Sequence, residues 1–153
     1  MSSICTNSCG PCNGRKNCLL CEYLPNQRSV TSKAGKTFLL QCGRDANCNS
    51  VYVVYCITCT RCHLQYVGCT SNFRSRANNH KSIIQRKVVK TECAKLYEHF
   101  ASMDHSIDDV YFTILSATNR YSLELEENLW KLRLDTLFPG GLNTVRATYS
   151  NRF

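Results

Sequence analysis

Two runs of β-branched and aromatic residues, 51–57 and 64–68, stand on either side of a short polar turn and predict an antiparallel hairpin. A charged segment follows in which Phe73, Ala77, Ile83 and Ile84 recur at helical spacing, with Thr70 or Ser71 as its N-cap. Residues 95–103 predict a second short helix and 110–115 a third strand. Over 122–134, Leu125, Leu129 and Leu132 recur with Trp130 at the interval of a helix with a core face, and Pro139-Gly140-Gly141 stops it. The order β-β-α-α-β-α predicts an α+β fold with a small antiparallel three-stranded sheet flanked by helices. Tyr52, Phe73, Phe112 and Trp130 follow strand or helix periods, which assigns them to the core. No internal repeat or low-complexity tract interrupts the pattern.

Upstream of the hairpin the character differs. Residues 1–48 lack long apolar runs and carry cysteines at 5, 9, 12, 18, 21, 42 and 48, among turn formers such as Gly10, Pro11, Gly14 and Pro25. Such a segment needs a crosslink or an ion to become ordered. The expected division is a cysteine-rich zinc-binding module over 1–48, a main domain over 49–145, and a polar tail over 146–153 that holds Tyr149 and Phe153. Residues 1–10 lack the apolar run of an export signal, and no stretch reaches the roughly 18 apolar residues of a membrane span. A soluble, intracellular protein is expected, and in a reducing compartment twelve cysteines fit zinc thiolates better than disulfides.

Cys9-x2-Cys12, Cys18-x2-Cys21 and Cys59-x2-Cys62 are three pairs at a spacing that lets both sulfurs of a turn reach one tetrahedral ion. Cys48, just before the first strand of the hairpin, could complete a site with Cys12, Cys18 and Cys21. Cys59 and Cys62 would join that ion or a second one. Cys56 and Cys93 have no neighbour at ligand spacing and read as small buried hydrophobes, Cys69 is ambiguous, and His63 reads as a solvated turn residue. His99 and His105 could ligate a metal with two cysteines. The preferred reading has them orient the second helix through ordinary hydrogen bonds, because no further ligands can be assigned to them.

Charge narrows the partner. Lys and Arg number 19 against 11 for Asp and Glu, a net charge of +8 that favours a polyanion, with nucleic acid the first candidate. Between residues 70 and 91 the chain carries Arg74, Arg76, Lys81, Arg86, Lys87 and Lys90 and no acidic residue, a one-signed face suited to phosphates. Arg76 and His80 stand four apart on one side of the helix. A guanidinium fork suits a phosphate whose charge grows during cleavage, and an imidazole can hydrogen-bond or shuttle a proton.

Val53-Val54-Tyr55, Tyr66-Val67-Gly68, Arg76, His80, Glu127 and Asn143 resemble the GIY-YIG nuclease pattern, with valine at 53 where the family name has glycine. More narrowly, Cys12-x5-Cys18-x2-Cys21, Cys48, Cys59-x2-Cys62, Asn78-Asn79-His80, His99-Phe100, His105 and Gly141-Leu142-Asn143 resemble the endonuclease of Penelope-like retroelements. The resemblance implies that Tyr55 or Tyr66 helps to activate the attacking water, that Arg76 steadies the phosphate, and that His80 supports proton transfer. It also implies that Tyr66-Val67-Gly68 supplies a turn bringing the second tyrosine beside the first, that Glu127 holds a Mg²⁺ or Mn²⁺ ion, and that Asn143 braces the site. Glu124 and Glu126 compete with Glu127 for the metal. A single carboxylate with several waters suffices for Mg²⁺.

Two functions fit. One is a metal-dependent DNA endonuclease, zinc-stapled and nuclear, in which Arg74, Lys81, Arg86, Lys87 and Lys90 contact the DNA. The other is a zinc-stabilised nucleic-acid-binding protein that keeps the nuclease fold without turnover.

Overall fold

The computed structural model of the chain describes residues 7–13, 17–43, 45–102 and 104–144. Cys5, Gly14 and the tail carrying Tyr149 and Phe153 lie outside the described residues. In chain order the elements are β1 (Ser29–Thr31), β2 (Thr37–Leu39), β3 (Val51–Cys59), β4 (Gln65–Asn72), α1 (Phe73–Arg86), α2 (Ala94–Ser102), β5 (Val110–Ala117) and α3 (Leu123–Leu134).

The β-branched run becomes the middle strand. β3 pairs antiparallel with β4 on one side and with β5 on the other, in the order β4-β3-β5. Residues 53–59 are buried without alternation, because both faces of the central strand are covered and apolar side chains are stable on each. β4 extends four residues beyond its expected end and runs straight into α1. Its cap is Asn72, whose side chain accepts the Ser75 N–H at 3.2 Å, and neither Thr70 nor Ser71 serves. Phe73, Ala77, Ile83 and Ile84 are buried as the periodicity predicts, and a left-handed Lys87 ends the helix.

On α3 the expected core face is wrong. Leu125 and Leu132 are 52% and 69% exposed, and the buried side consists of Leu123, Glu127, Trp130, Lys131 and Leu134. Apolar spacing misled here because two of the five inward positions hold an ion pair, Lys131 Nζ to Glu127 at 3.8 Å, so the inward stripe does not read as hydrophobic. Trp130 anchors the helix by donating its indole N–H to Ser116 Oγ at 2.6 Å.

The cysteine-rich segment has no separate core. Leu20, Leu24, Val30, Leu40, Cys42 and Ala46 join the same cluster as the sheet and helices. A small β1-β2 hairpin, absent from the periodicity reading, leads into Gln41, whose N–H donates to Leu115 at 2.7 Å and whose carbonyl accepts from Ala117 at 3.3 Å. Gln27 adds a bond to the Phe112 carbonyl at 2.9 Å. The open edge of β5 is thereby paired rather than left to solvent. Cys9, despite its spacing from Cys12, is part of this seam: its sulfur accepts the Ile114 N–H at 3.4 Å, and burial pushes its thiol up to about 11.

The two registers of α3 predict opposite mutational costs. Leu134→Ala should cost about 2–5 kcal/mol in urea denaturation, and Leu132→Ala less than about 0.5 kcal/mol; equal costs would refute the observed face.

Candidate active site and cysteine clusters

Strand register brings the two tyrosines together. Tyr55 of β3 lies opposite Gly68 of β4, and Tyr66 lies opposite Ile57. Cross-strand partners share a face, so both phenols point to the same side of the sheet, with ring centroids 6.5 Å apart. Gly68 is therefore a strand residue and not the expected turn. Its role is close approach: a Cβ there would sit 2.6 Å from the Tyr55 hydroxyl and 3.1 Å from the Tyr66 ring. A bulge in the β3-β5 pairing falls between Val54 and Tyr55, which re-aims Tyr55 relative to the residues before it. On the outer edge of β4, Asn143 clamps the motif's backbone, accepting the Val67 N–H and donating to the Val67 carbonyl, each at 2.9 Å.

α1 places His80 and Arg76 over the phenols. His80 is fully buried, with Nε2 2.7 Å from the Tyr55 hydroxyl and Nδ1 2.7 Å from the Tyr97 hydroxyl. Burial, reinforced by the neighbouring Arg76 charge, pushes its pKa down to about 3, so the imidazole is neutral at working pH. Burial raises Tyr55 well above an ordinary phenol although Arg76 opposes it, and burial raises Tyr66 likewise. Both are neutral hydroxyls at rest. Arg76 reaches Cys93 Sγ at 3.6 Å and Glu92 at 3.9 Å, while the Tyr66 hydroxyl lies 3.1 Å from the same sulfur. Cys93 is thus no inert core thiol. No spacing signal marks it, because it reaches the site through the loop before α2.

Glu127 closes the set. It lines one cleft of about 1200 Å³ together with Tyr55, Tyr66, Arg76, Cys93 and Asn143. Glu124 lines the same cleft, whereas Glu126 is turned to Ser116 Oγ at 3.1 Å. Tyr52, expected in the core, is half-buried with a φ of +51° and also faces this cleft, as do Cys69 and the exposed pair Arg120 and Tyr121. Phe73, Phe112 and Trp130 are core residues as expected.

The sequence pattern of the GIY-YIG catalytic domain matches residues 51–136, over half of the chain. The chain belongs to that family. It is accordingly a DNA endonuclease, a phosphodiester hydrolase, and DNA is its substrate. No curated protein and no solved structure matches it.

Outside the catalytic cleft of this GIY-YIG enzyme two groups of soft donors converge. Sulfurs of Cys12, Cys18, Cys21 and Cys48 lie within 4.8 Å of one another, with Cys12 to Cys21 at 3.7 Å and Cys21 to Cys48 at 4.0 Å. A tetrahedron of about 2.3 Å zinc–sulfur bonds has edges of about 3.8 Å, so the donor set fits zinc. Burial pushes the Cys18 thiol up, but hydrogen bonds from the Leu20 N–H and Arg74 outweigh it and bring it down to about 6. The second group joins Cys59 and Cys62 of the β3-β4 turn to His99 and His105. Cys59 and Cys62, distant from these histidines in the chain but adjacent in space, supply the further ligands that could not be assigned from the sequence, so the four side chains could together hold a metal, and His105 Nε2 lies 3.2 Å from Cys62 Sγ. Nε2 of His99 is buried without a hydrogen-bond partner among the described residues, as suits a nitrogen that gives its lone pair to a metal. His63 is exposed in the turn, and Cys56 is a buried thiol raised by burial to about 12.

The basic helix is not one free face. Arg74 donates to Cys18 Sγ at 3.2 Å and to Asn49 at 2.8 Å. Lys81 is buried, bonded to the Leu19 carbonyl and held over the Tyr23 ring at 4.5 Å. Lys87 donates to the carbonyls of Phe100 and His105. Only Arg86 and Lys90, of the five, keep an exposed side chain clear of such internal anchoring. No helix among the described residues is long and apolar enough to cross a membrane.

Two outcomes follow from this geometry. Gly68→Ala should cost about 1–3 kcal/mol through overpacking against Tyr55 and should depress plasmid nicking; full nicking at wild-type stability would refute the close-approach role. For His80, the unfolded chain takes up a proton below its ordinary 6.5 that the native state refuses until about 3. Stability present above pH 6.5 should therefore be lost as the pH falls toward 3, and the His80→Gln variant should lack this component in urea midpoints measured across that range.

Proposed function

We propose that the enzyme is a metal-dependent DNA endonuclease of the Penelope-like retroelement type, with Glu127 as its catalytic metal ligand and two structural zinc sites. The observation that carries the reading is the convergence of Tyr55, Tyr66, Arg76, Glu127 and Asn143 on one cleft. A nuclear location fits a DNA-directed enzyme of this kind.

In this reading a water oxygen attacks phosphorus while its proton passes to the Tyr55 oxygen, and the Tyr55 proton passes to His80 Nε2. As the new P–O bond forms, the bond to the leaving ester oxygen breaks. The low basicity of His80 is compatible with this relay because the imidazole is always unprotonated beforehand and holds the proton only transiently. Arg76, held by Cys93 and Glu92, binds the non-bridging phosphate oxygens, where negative charge increases. Tyr66, whose hydroxyl meets Cys93 Sγ at 3.1 Å, would donate to the same group. Glu127, with Glu124 beside it in the cleft, would hold Mg²⁺ or Mn²⁺, which when bound neutralises charge on the leaving oxygen. The buried ammonium of Lys131 keeps Glu127 compensated within the protein.

Cys12, Cys18, Cys21 and Cys48 would bind one zinc ion and tie the N-terminal segment to α1 through Arg74. Cys59, Cys62, His99 and His105 would bind the other and tie the hairpin turn to α2. Arg86, Lys90 and the cleft-lining Arg120 are the side chains best placed to meet DNA phosphates.

Plasmid cleavage with Mg²⁺ or Mn²⁺ tests the reading. Arg76→Ala should lower kcat on the order of 10²–10³-fold, and Glu127→Ala should abolish cleavage. DNA binding without nicking by the native chain would favour the inactive binding protein instead. Metal analysis after dialysis should find two zinc ions per chain, one for each cluster, and Cys59→Ser should reduce this to one; a metal-free, fully folded protein would remove the zinc assignment.

A further inference from the structure

His80 sits between two phenols, and only one of them belongs to the motif. We propose that Tyr97 of α2 is a positioning residue for DNA cleavage: its hydroxyl oxygen accepts the Nδ1–H of His80, which leaves Nε2 as the lone-pair nitrogen that faces Tyr55. The proposal rests on the reading of Tyr55 and His80 as the proton path.

A neutral imidazole has one donor and one acceptor nitrogen, and which is which depends on the partners. With both nitrogens 2.7 Å from a phenol oxygen and no exposed surface, His80 has two arrangements. Either Tyr55 donates to Nε2 and Nδ1–H donates to Tyr97, or the whole set is reversed. Two features favour the first. The Arg76 charge acts on the Tyr55 hydroxyl and favours its oxygen as the end turned toward the guanidinium, so the Tyr55 proton is directed elsewhere, and Nε2 is within reach at 2.7 Å. The proton path gives the second, because it needs a lone pair on Nε2 to take the Tyr55 proton, and a neutral imidazole then carries its hydrogen on Nδ1.

The donors can then run one way through the buried site, from the Tyr55 hydroxyl to His80 Nε2 and from Nδ1–H to the Tyr97 oxygen. Hydrogen bonds aligned in this sense polarise one another in a buried site. In the reversed arrangement Nε2–H would donate to the Tyr55 oxygen, which would leave Nε2 without a lone pair for the proton. Tyr97 is fixed for this task by its 2% exposure and by its backbone N–H bond to the Cys93 carbonyl at 3.1 Å.

A tyrosine that merely packs would lose stability on substitution without changing the proton on a neighbouring ring. The test is ¹⁵N–¹H correlation of the histidine ring nitrogens in the full-length, zinc-loaded protein without DNA, with His80 assigned by comparison with His80→Gln. The expected result is a proton on Nδ1 in the native protein, a shift of that proton to Nε2 in Tyr97→Phe, and a single-turnover cleavage rate lowered roughly 10- to 100-fold in that variant with KM unchanged. A native proton on Nε2, or a Tyr97→Phe variant with unaltered tautomer and rate, would overturn the proposal. If Tyr97→Phe does not fold, the native tautomer decides alone. A native protein with the Nδ1 proton in place that cuts no DNA would instead sink the proton-path reading, and this role with it.

Discussion

The pairing of β3 with β4 is the constraint from which the catalytic geometry follows. With Tyr55 opposite Gly68 and Tyr66 opposite Ile57, both phenols lie on the face that α1 covers, under His80 and Arg76. A slip of one residue would turn Tyr66 to the other face, since side chains alternate with a period of two. Several features hold the register against such a slip. Asn143 grips both polar groups of Val67 from outside, the missing Cβ of Gly68 admits only the Tyr55 ring, and β4 is bound directly to the capped start of α1. Residue types that would be weak signals individually become one site through this single alignment.

The second layer of the site is carried by α2, a helix of nine residues that holds none of the GIY-YIG pattern positions. α2 brings Tyr97 to Nδ1 of His80, and the loop before it brings Cys93 to Arg76 and Tyr66. The His99 and His105 cluster lies at the other end of the same helix, joined to Cys59 and Cys62 in the hairpin turn. Metal binding there would fasten the β3-β4 turn to the helix that carries Tyr97.

Basic residues show the same economy of use. Arg74, Lys81 and Lys87 spend their donors on a thiol cluster and on backbone carbonyls that end in loops, where an unpaired acceptor would be costly to bury. Net charge still favours a polyanionic substrate, but the phosphate-facing set is smaller than the count of lysines and arginines implies. Of the basic residues, Arg76 and Arg120 line the cleft, and Arg86 and Lys90 are exposed outside it.

Much of this was legible in the chain alone. The three strands of the main sheet and the helices follow from period, the Cys12, Cys18, Cys21 and Cys48 set from the short reach between paired cysteines, and the tyrosine, arginine and histidine positions from the resemblance to the GIY-YIG pattern. What the linear pattern misassigned or left open depends on contacts between distant elements. Leu125 and Leu132 read as core until Glu127 and Lys131 are seen to neutralise each other on the inward side of α3. His99 and His105 lacked ligands until the hairpin turn, some forty residues earlier in the chain, folded back against them. Tyr97 and Cys93 carry no spacing signal, because their role exists only where α2 meets α1. Local chemistry decides which residues are able to act, whereas packing decides which neighbours they act on, and hydrogen-bond direction in a buried site is a property of the neighbours.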